Sequence, residues 1–311
     1  MPQATIEGIR SSTELHARTT AIAILGAAQS GTSGLLSLDM HASRWAARTT
    51  RREASFGGGL ALGTARTYGD RSRSRLLLVP LSQLPQVDRL VLATVTSVPE
   101  WHPEHGTFEP FPVHAWVIRH PDGAILMDTG IGLGNGLIDE WYNPRATTLS
   151  AALDTIGLAL SDIAAVVVSH LHFDHCGQQA TLSAPTYVQA VEVEAAQAPG
   201  YTVPDWAAIP KSRLRLVHGD QEIAEGIRLV STPGHTPGHQ SVVMEAGDKR
   251  VVIAAQCAYR AEELRSGEPA ASNLHDETWM DAARDSLQRL RSLAPFTAYL
   301  SHDPEIVTIL R

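Results

Sequence analysis

Two cysteines in 311 residues, Cys176 and Cys257, are too few for a disulfide scaffold. No apolar run approaches the ~18 residues a bilayer crossing needs, so no membrane span is expected. Positive charge is also scarce: 25 Lys and Arg face 33 Asp and Glu, a formal net charge of −8 with 14 His counted as neutral. Such a chain lacks the basic footprint of a general nucleic-acid binder. There is no internal repeat. What is present is a composition of 43% apolar and 19% charged residues, enough to bury a core and to exclude wholesale disorder.

Charge divides the chain in two. Residues 1–85 hold ten Arg, no Lys, five acids, 19 Ser or Thr and the run Gly57-Gly58-Gly59, with poor hydrophobic periodicity. They read as a flexible or loosely packed extension with a local charge of +5, which leaves −13 on residues 86–311. Ala21 to Ala28 is too short for a secretion-signal core, and Glu7 and Glu14 spoil the basic region before it. Gly26 to Thr32 echoes a phosphate-binding loop but lacks the lysine that would pair with phosphate. With no secretion signal and two free thiols, the expected location is the cytoplasm. The sequence does not specify an oligomeric state.

From about Leu90 the pattern is that of packed strands and helices. Strands are expected at Leu90–Val98, Val113–Arg119, Ala124–Met127, Ile163–Val168, Tyr187–Gln189, Leu214–Val217, Ile227–Val230, Ser241–Glu245, Arg250–Ala254 and Phe296–Leu300. Ala246-Gly247-Asp248 reads as a hairpin turn. Helical spacing of apolar residues predicts helices over Thr147–Leu160 and Asp276–Leu293. The mixture points to an α+β arrangement of packed layers.

The chemistry sits in Ser169-His170-Leu171-His172-Phe173-Asp174-His175-Cys176-Gly177, directly after a buried strand. In extended chain His170 and His172 share a side, and Asp174 and His175 lie where the chain turns. Three imidazoles and a carboxylate within six residues form a zinc-type donor set. His235, in Thr232-Pro-Gly-His-Thr-Pro-Gly-His239, and His302 also follow strands, where a rigid scaffold presents ligands. His218, His239 and His275 read as structural or surface residues.

These motifs resemble the metallo-β-lactamase superfamily from about Leu90 to the C-terminus, and within it the N-acyl-homoserine lactonases most closely. The resemblance implies a four-layer αββα sandwich with metals at one edge of the two sheets. It also implies two zinc sites, His170, His172 and His235 at one and Asp174, His175 and His302 at the other. It gives Asp128 a role orienting a ligand histidine. Phe173 becomes a pocket-lining residue and Tyr259 a partner of the substrate carbonyl. The expected reaction is the opening of a lactone, as in quorum quenching, by a water that zinc activates. Asp174 or a metal-bound water would be the proton donor to the leaving alkoxide. Nuclease members of the superfamily share the motif, but −13 on the matched region argues against nucleic acid. The stretch from Glu192 to Trp206 is expected to shape one pocket wall.

One position departs from the family pattern. Gln256, in Val252-Ile-Ala-Ala-Gln256-Cys257-Ala-Tyr259, stands where the family has an Asp bridging both metals. A neutral amide is a weaker ligand and cancels no charge. Three outcomes stay open: both metals bind with one site weakened, only the three-His site fills, or Cys257 supplies a thiolate. A strand would turn Cys257 to the opposite face from Gln256. The alternatives to a lactonase are a metallo-hydrolase of other esters, thioesters or lactams, and a catalytically impaired metal-binding relative.

Overall fold

The computed structural model describes residues 85–100, 105–106 and 108–310. The extension expected over residues 1–85, with its signal-like and phosphate-loop-like stretches, lies outside them apart from Pro85.

Two sheets form the centre. One contains β1 (Gln86–Val95), β2 (Phe111–His120), β3 (Gly123–Met127), β4 (Arg145–Ala146), β5 (Ile163–Val167), β6 (Thr186–Gln189) and β7 (Leu214–Val217), in the order β4-β1-β2-β3-β5-β6-β7. The other contains β8 (Gln221–Ala224), β9 (Ile227–Ser231), β10 (Gln240–Ala246), β11 (Lys249–Ala255), β12 (Phe296–Leu300) and β13 (Val307–Ile309), in the order β13-β12-β11-β10-β9-β8. The helices are α1 (Gly136–Tyr142), α2 (Leu149–Asp154), α3 (Phe173–Cys176), α4 (Ala190–Ala195), α5 (Pro204–Ala207), α6 (Ala261–Ser266) and α7 (Met280–Arg291).

Alternation along the strands builds the layers. Side chains a residue apart face opposite sides of a sheet, and here both sides are apolar. Trp116, Ile118, Ile125, Met127 and Val167 of the first sheet meet Leu229, Val242, Met244 and Ile253 of the second in a middle layer. The intervening Ala115, Val117, Leu126 and Val166 face outward onto Leu149 and Leu153 of α2. On the far side Val243, Val252 and Ala254 pack on Leu264 of α6 and Leu287 and Leu290 of α7. The result is the expected αββα sandwich, with double-sided burial explaining the near-continuous apolar runs.

Most expected strands are present, and β10 and β11 pair antiparallel about Gly247 as the hairpin reading required. Two helices are shorter than their apolar spacing suggests. The Thr147–Leu160 pattern yields only α2, because Gly157 takes a positive φ of 72° and ends the helical path. The Asp276–Leu293 pattern yields a 3₁₀ turn at Glu277–Trp279 and then α7. Strand β8 escaped notice because Gln221 and Glu222 leave its edge polar and exposed.

The connection after β3 and the loop after β5 are packed backbone to backbone. Gly177 donates its N–H to the Gly130 carbonyl at 2.8 Å, and Thr129 donates to the His175 carbonyl at 2.7 Å. A Cβ on Gly177 would lie 1.9 Å from Gly132 N and 2.5 Å from Ile131 C. Backbone cannot rotate away as a side chain can. Gly177→Ala is therefore expected to destabilise the fold by about 1–3 kcal/mol or more, read as a lowered thermal midpoint. An unchanged midpoint would show that the two loops separate freely.

Candidate metal centre

Five strand ends deliver the polar side chains. Asp128 follows β3, Ser169 to His175 follow β5, His235 follows β9, Gln256 follows β11 and His302 follows β12. Parallel pairing of β3 with β5, and of β11 with β12, puts neighbouring strand ends side by side. The Gln240 N–H bonds the Ser169 carbonyl at 2.9 Å, and the His114 N–H bonds the Ser301 carbonyl at 3.0 Å, which ties one sheet to the other at this edge.

Extended chain after β5 sends Leu171 into the core and His170 and His172 to the other side. His170 Nε2, His172 Nδ1 and His235 Nε2 form a triangle with every side 3.1 Å. Their remaining contacts orient the lone pairs. The Asn273 carbonyl, 2.9 Å from His235 Nδ1, accepts that ring's proton and leaves Nε2 unprotonated. The Ser169 hydroxyl donates to Asp128 Oδ2 at 2.8 Å, so it accepts from His170 Nδ1 at 3.0 Å. Burial, reinforced by the neighbouring imidazoles, holds His170 and His235 well below the usual histidine range, hence neutral. Neutral rings aiming lone pairs at one point repel one another unless a cation lies between them. Tetrahedral zinc with nitrogen ligands at about 2.0–2.1 Å would set those nitrogens roughly 3.3 Å apart, close to the triangle found.

A second set lies beside the first. His175 Nε2 is 3.0 Å from Gln256 Oε1, 3.3 Å from His302 Nε2 and 3.4 Å from Asp174 Oδ2. His302 Nε2 is 3.1 Å from Gln256 Oε1 and 3.4 Å from Asp174 Oδ2. His302 Nδ1 donates to the Pro112 carbonyl at 3.0 Å, and His175 Nδ1 donates to Asp128 Oδ2 at 2.9 Å. Burial disfavours charge on both rings. It wins at His302, brought down to about 4 despite Asp174. At His175 the Asp174 and Asp128 carboxylates outweigh it and push the ring up to about 10. Asp174 itself is held far below the ordinary carboxylate range, the His175 charge overcoming burial. One positive charge therefore belongs in this set. A proton on His175 supplies it in the metal-free protein, and a bound cation would displace that proton.

Asp128 is fully buried at a positive φ of 64°, a backbone setting that non-glycine residues rarely adopt. It accepts from Ser169 N at 2.7 Å, the Ser169 hydroxyl and His175 Nδ1, so one carboxylate touches both sets, directly and through a serine. Tyr259 lies half-buried with its ring 5.1 Å from His302 and 5.7 Å from Phe111, and the Arg260 guanidinium sits 5.0 Å over its face. Phe173 stacks obliquely on Tyr142 at 4.9 Å. Cys257 is elsewhere: it packs among Val230, Val252, Ala254 and Leu287, and burial pushes its thiol up to about 12. The two groups of three donors, each within 4.8 Å, are His170, His172, His235 and Asp174, His175, His302.

Residues 108–302 match the metallo-beta-lactamase superfamily model, well over half of the chain. The chain belongs to the metallo-beta-lactamase superfamily. An N-acyl homoserine lactonase of Bacillus is 32% identical over 174 residues, 51% of this chain and 69% of that protein. A probable metallo-hydrolase of Mycobacterium tuberculosis is 28% identical over 234 residues, 64% of this chain and 73% of its own length. A crystal structure of a quorum-quenching N-acyl homoserine lactone lactonase is 25% identical, with a TM-score of 0.58 over 71% of this chain and 93% of that one. The superfamily fold thus carries a metallo-hydrolase site.

Sequence reading left two contributors in this superfamily site unassigned. His239, taken as structural or surface, is fully buried and neutral, and its Nε2 accepts the Gln256 backbone N–H at 3.2 Å. Glu192, taken as part of a pocket wall, is fully buried behind the His170 to His172 segment. Neither role had a local signal. Both depend on contacts between segments far apart in the chain.

Proposed function

We propose that this chain is a zinc-dependent lactonase that opens N-acyl-homoserine lactones. The observation that carries the reading is the convergence of two donor sets, a triangle of imidazole nitrogens with 3.1 Å sides and, beside it, His175, His302, Asp174 and Gln256 with donor atoms 3.0–3.4 Å apart. The similarity to the Bacillus lactonase supplies the substrate class. Imidazole with carboxylate suits zinc. His170, His172 and His235 would hold one ion, and Asp174, His175 and His302 the other, with Gln256 Oε1 as a neutral neighbour. Zinc bound there supplies Lewis acidity and lowers the pKa of coordinated water to about 7.

The protein groups divide the remaining work. Water oxygen joins the lactone carbonyl carbon, the ring C–O bond breaks, and an acid and a hydroxyl result. Tyr259, at the rim beside His302, steadies the carbonyl oxygen as charge develops. Asp174, ionised in its pocket, takes the water proton and returns it to the departing alkoxide. Phe173 and Tyr142 give the acyl portion an apolar wall. Asp128 fixes the tautomers of His175 and, through Ser169, His170. Partners are then small lactones or esters. No helix of the described residues is long and apolar enough to cross a membrane. The cytoplasm, where both buried thiols stay reduced, is the proposed location.

Gln256 favours a second reading, a metallo-hydrolase of other esters or one slowed by the missing carboxylate. Zinc-supplied protein given short- and long-chain N-acyl-homoserine lactones should release a proton on ring opening. Activity on aryl esters or thioesters with none on either lactone would overturn the lactonase reading in favour of the second.

A further inference from the structure

We propose that Glu192 is a positioning residue that sets the His170–His172–His235 triangle by holding both of its loops on one carboxylate. The inference rests on the metal-centre reading above and adds to it a residue that touches no ligand atom. Glu192 sits in α4 with no exposed surface. Its Oε1 accepts from Leu171 N at 2.8 Å and from the Tyr201 hydroxyl at 2.5 Å. Its Oε2 accepts from the Thr236 hydroxyl at 2.8 Å and from Gly238 N at 3.0 Å. Leu171 lies between His170 and His172, and Thr236 follows His235, so the two oxygens grip the two ligand-bearing loops separately.

Other contacts bear on the same point. The Gly238 backbone rests on α4 so closely that a Cβ there would lie 2.4 Å from Glu192 N and 2.5 Å from its Cβ. The Tyr201 ring, anchored by its hydroxyl, stacks 4.9 Å from His172. The second donor set has no hydrogen bond to Glu192 among those described. All four partners donate, which only a carboxylate can satisfy in full. A glutamine has one carbonyl oxygen. Whichever way its amide turns, it confronts either Leu171 N or Gly238 N with an N–H, and one of the two loops loses its anchor. Partners that orient metal ligands typically contribute ~10–100-fold in metal affinity.

The test is zinc release from the loaded protein to a chromophoric chelator. The three-His step is identified as the one that His172→Ala removes, and the other as the one that His302→Ala removes. Glu192→Gln should weaken the three-His step ~10–100-fold and leave the other within about twofold. Thr236→Val keeps the carboxylate and side-chain volume but cuts one tie. It should weaken the same step several-fold, which keeps the proposal testable where Glu192→Gln does not fold. Unchanged three-His affinity in both variants would overturn the proposal, as would equal losses at both steps, which mark a general role in the fold. Wild-type protein that takes up no zinc would instead bring down the metal-centre reading, and the proposal with it.

Discussion

His170→Ala is expected to abolish lactone hydrolysis, with kcat/KM falling on the order of 10³-fold or more, since several kcal/mol of metal-dependent stabilisation go with the ligand. Removing this imidazole breaks the 3.1 Å triangle at the corner that touches both other rings. It also removes the N–H that His170 Nδ1 donates to the Ser169 hydroxyl, leaving that hydroxyl its bond to Asp128 alone. The loss should be visible without substrate. A ligand present at 1,000 times its Kd stabilises the folded state by about 4 kcal/mol, and each kcal/mol moves the midpoint of a 150–250-residue domain by roughly 2–4 °C. Chelator should therefore lower the wild-type midpoint substantially and the His170→Ala midpoint much less. Full activity in His170→Ala, or equal chelator effects on both proteins, would rule out a metal mechanism at this triangle.

That histidine was legible because its chemistry is local. His170, His172, Asp174 and His175 fall within six residues, and a single strand end suffices to gather them. His235 and His302 were legible as histidines just past expected strands. The sheets were legible for the same reason, since the short, nearly continuous apolar runs of β3, β5, β10 and β11 are a property of each strand alone. What escaped depends on distant pairings. In α4 Val191 is about half exposed while Glu192 is fully buried, an inversion that no helix periodicity announces. Its reason is the arrival of Leu171, Tyr201 and Gly238 from three other segments. Polar β8 and the early end of α2 at Gly157 likewise follow from pairing and backbone geometry rather than from apolar spacing.

Gln256→Asp should change the protein in opposite directions with and without metal. In the metal-free protein the amide oxygen sits 3.0 Å from His175 and 3.1 Å from His302, beside an Asp174 that is already ionised. Asp128 adds a further acidic group 2.9 Å from the other side of His175. One more buried carboxylate there must repel Asp174 or take up a proton, and either is unfavourable. The metal-free variant should therefore melt below wild type. With zinc the balance reverses. Among the six donors proposed for two divalent ions, Asp174 would be the one charged ligand. A unit negative charge at 4 Å from a cation contributes about 4 kcal/mol at an effective dielectric constant of 20, before the cost of desolvating it. An aspartate is one methylene shorter than glutamine, which draws its oxygens back from His175 and His302. Zinc affinity of the weaker step should rise at least tenfold, and the loaded variant should melt above loaded wild type. If both forms shift the same way, the amide is not facing a metal-binding gap. If affinity rises while lactone turnover stays at the wild-type level, the missing carboxylate limits metal retention and not the chemistry of ring opening.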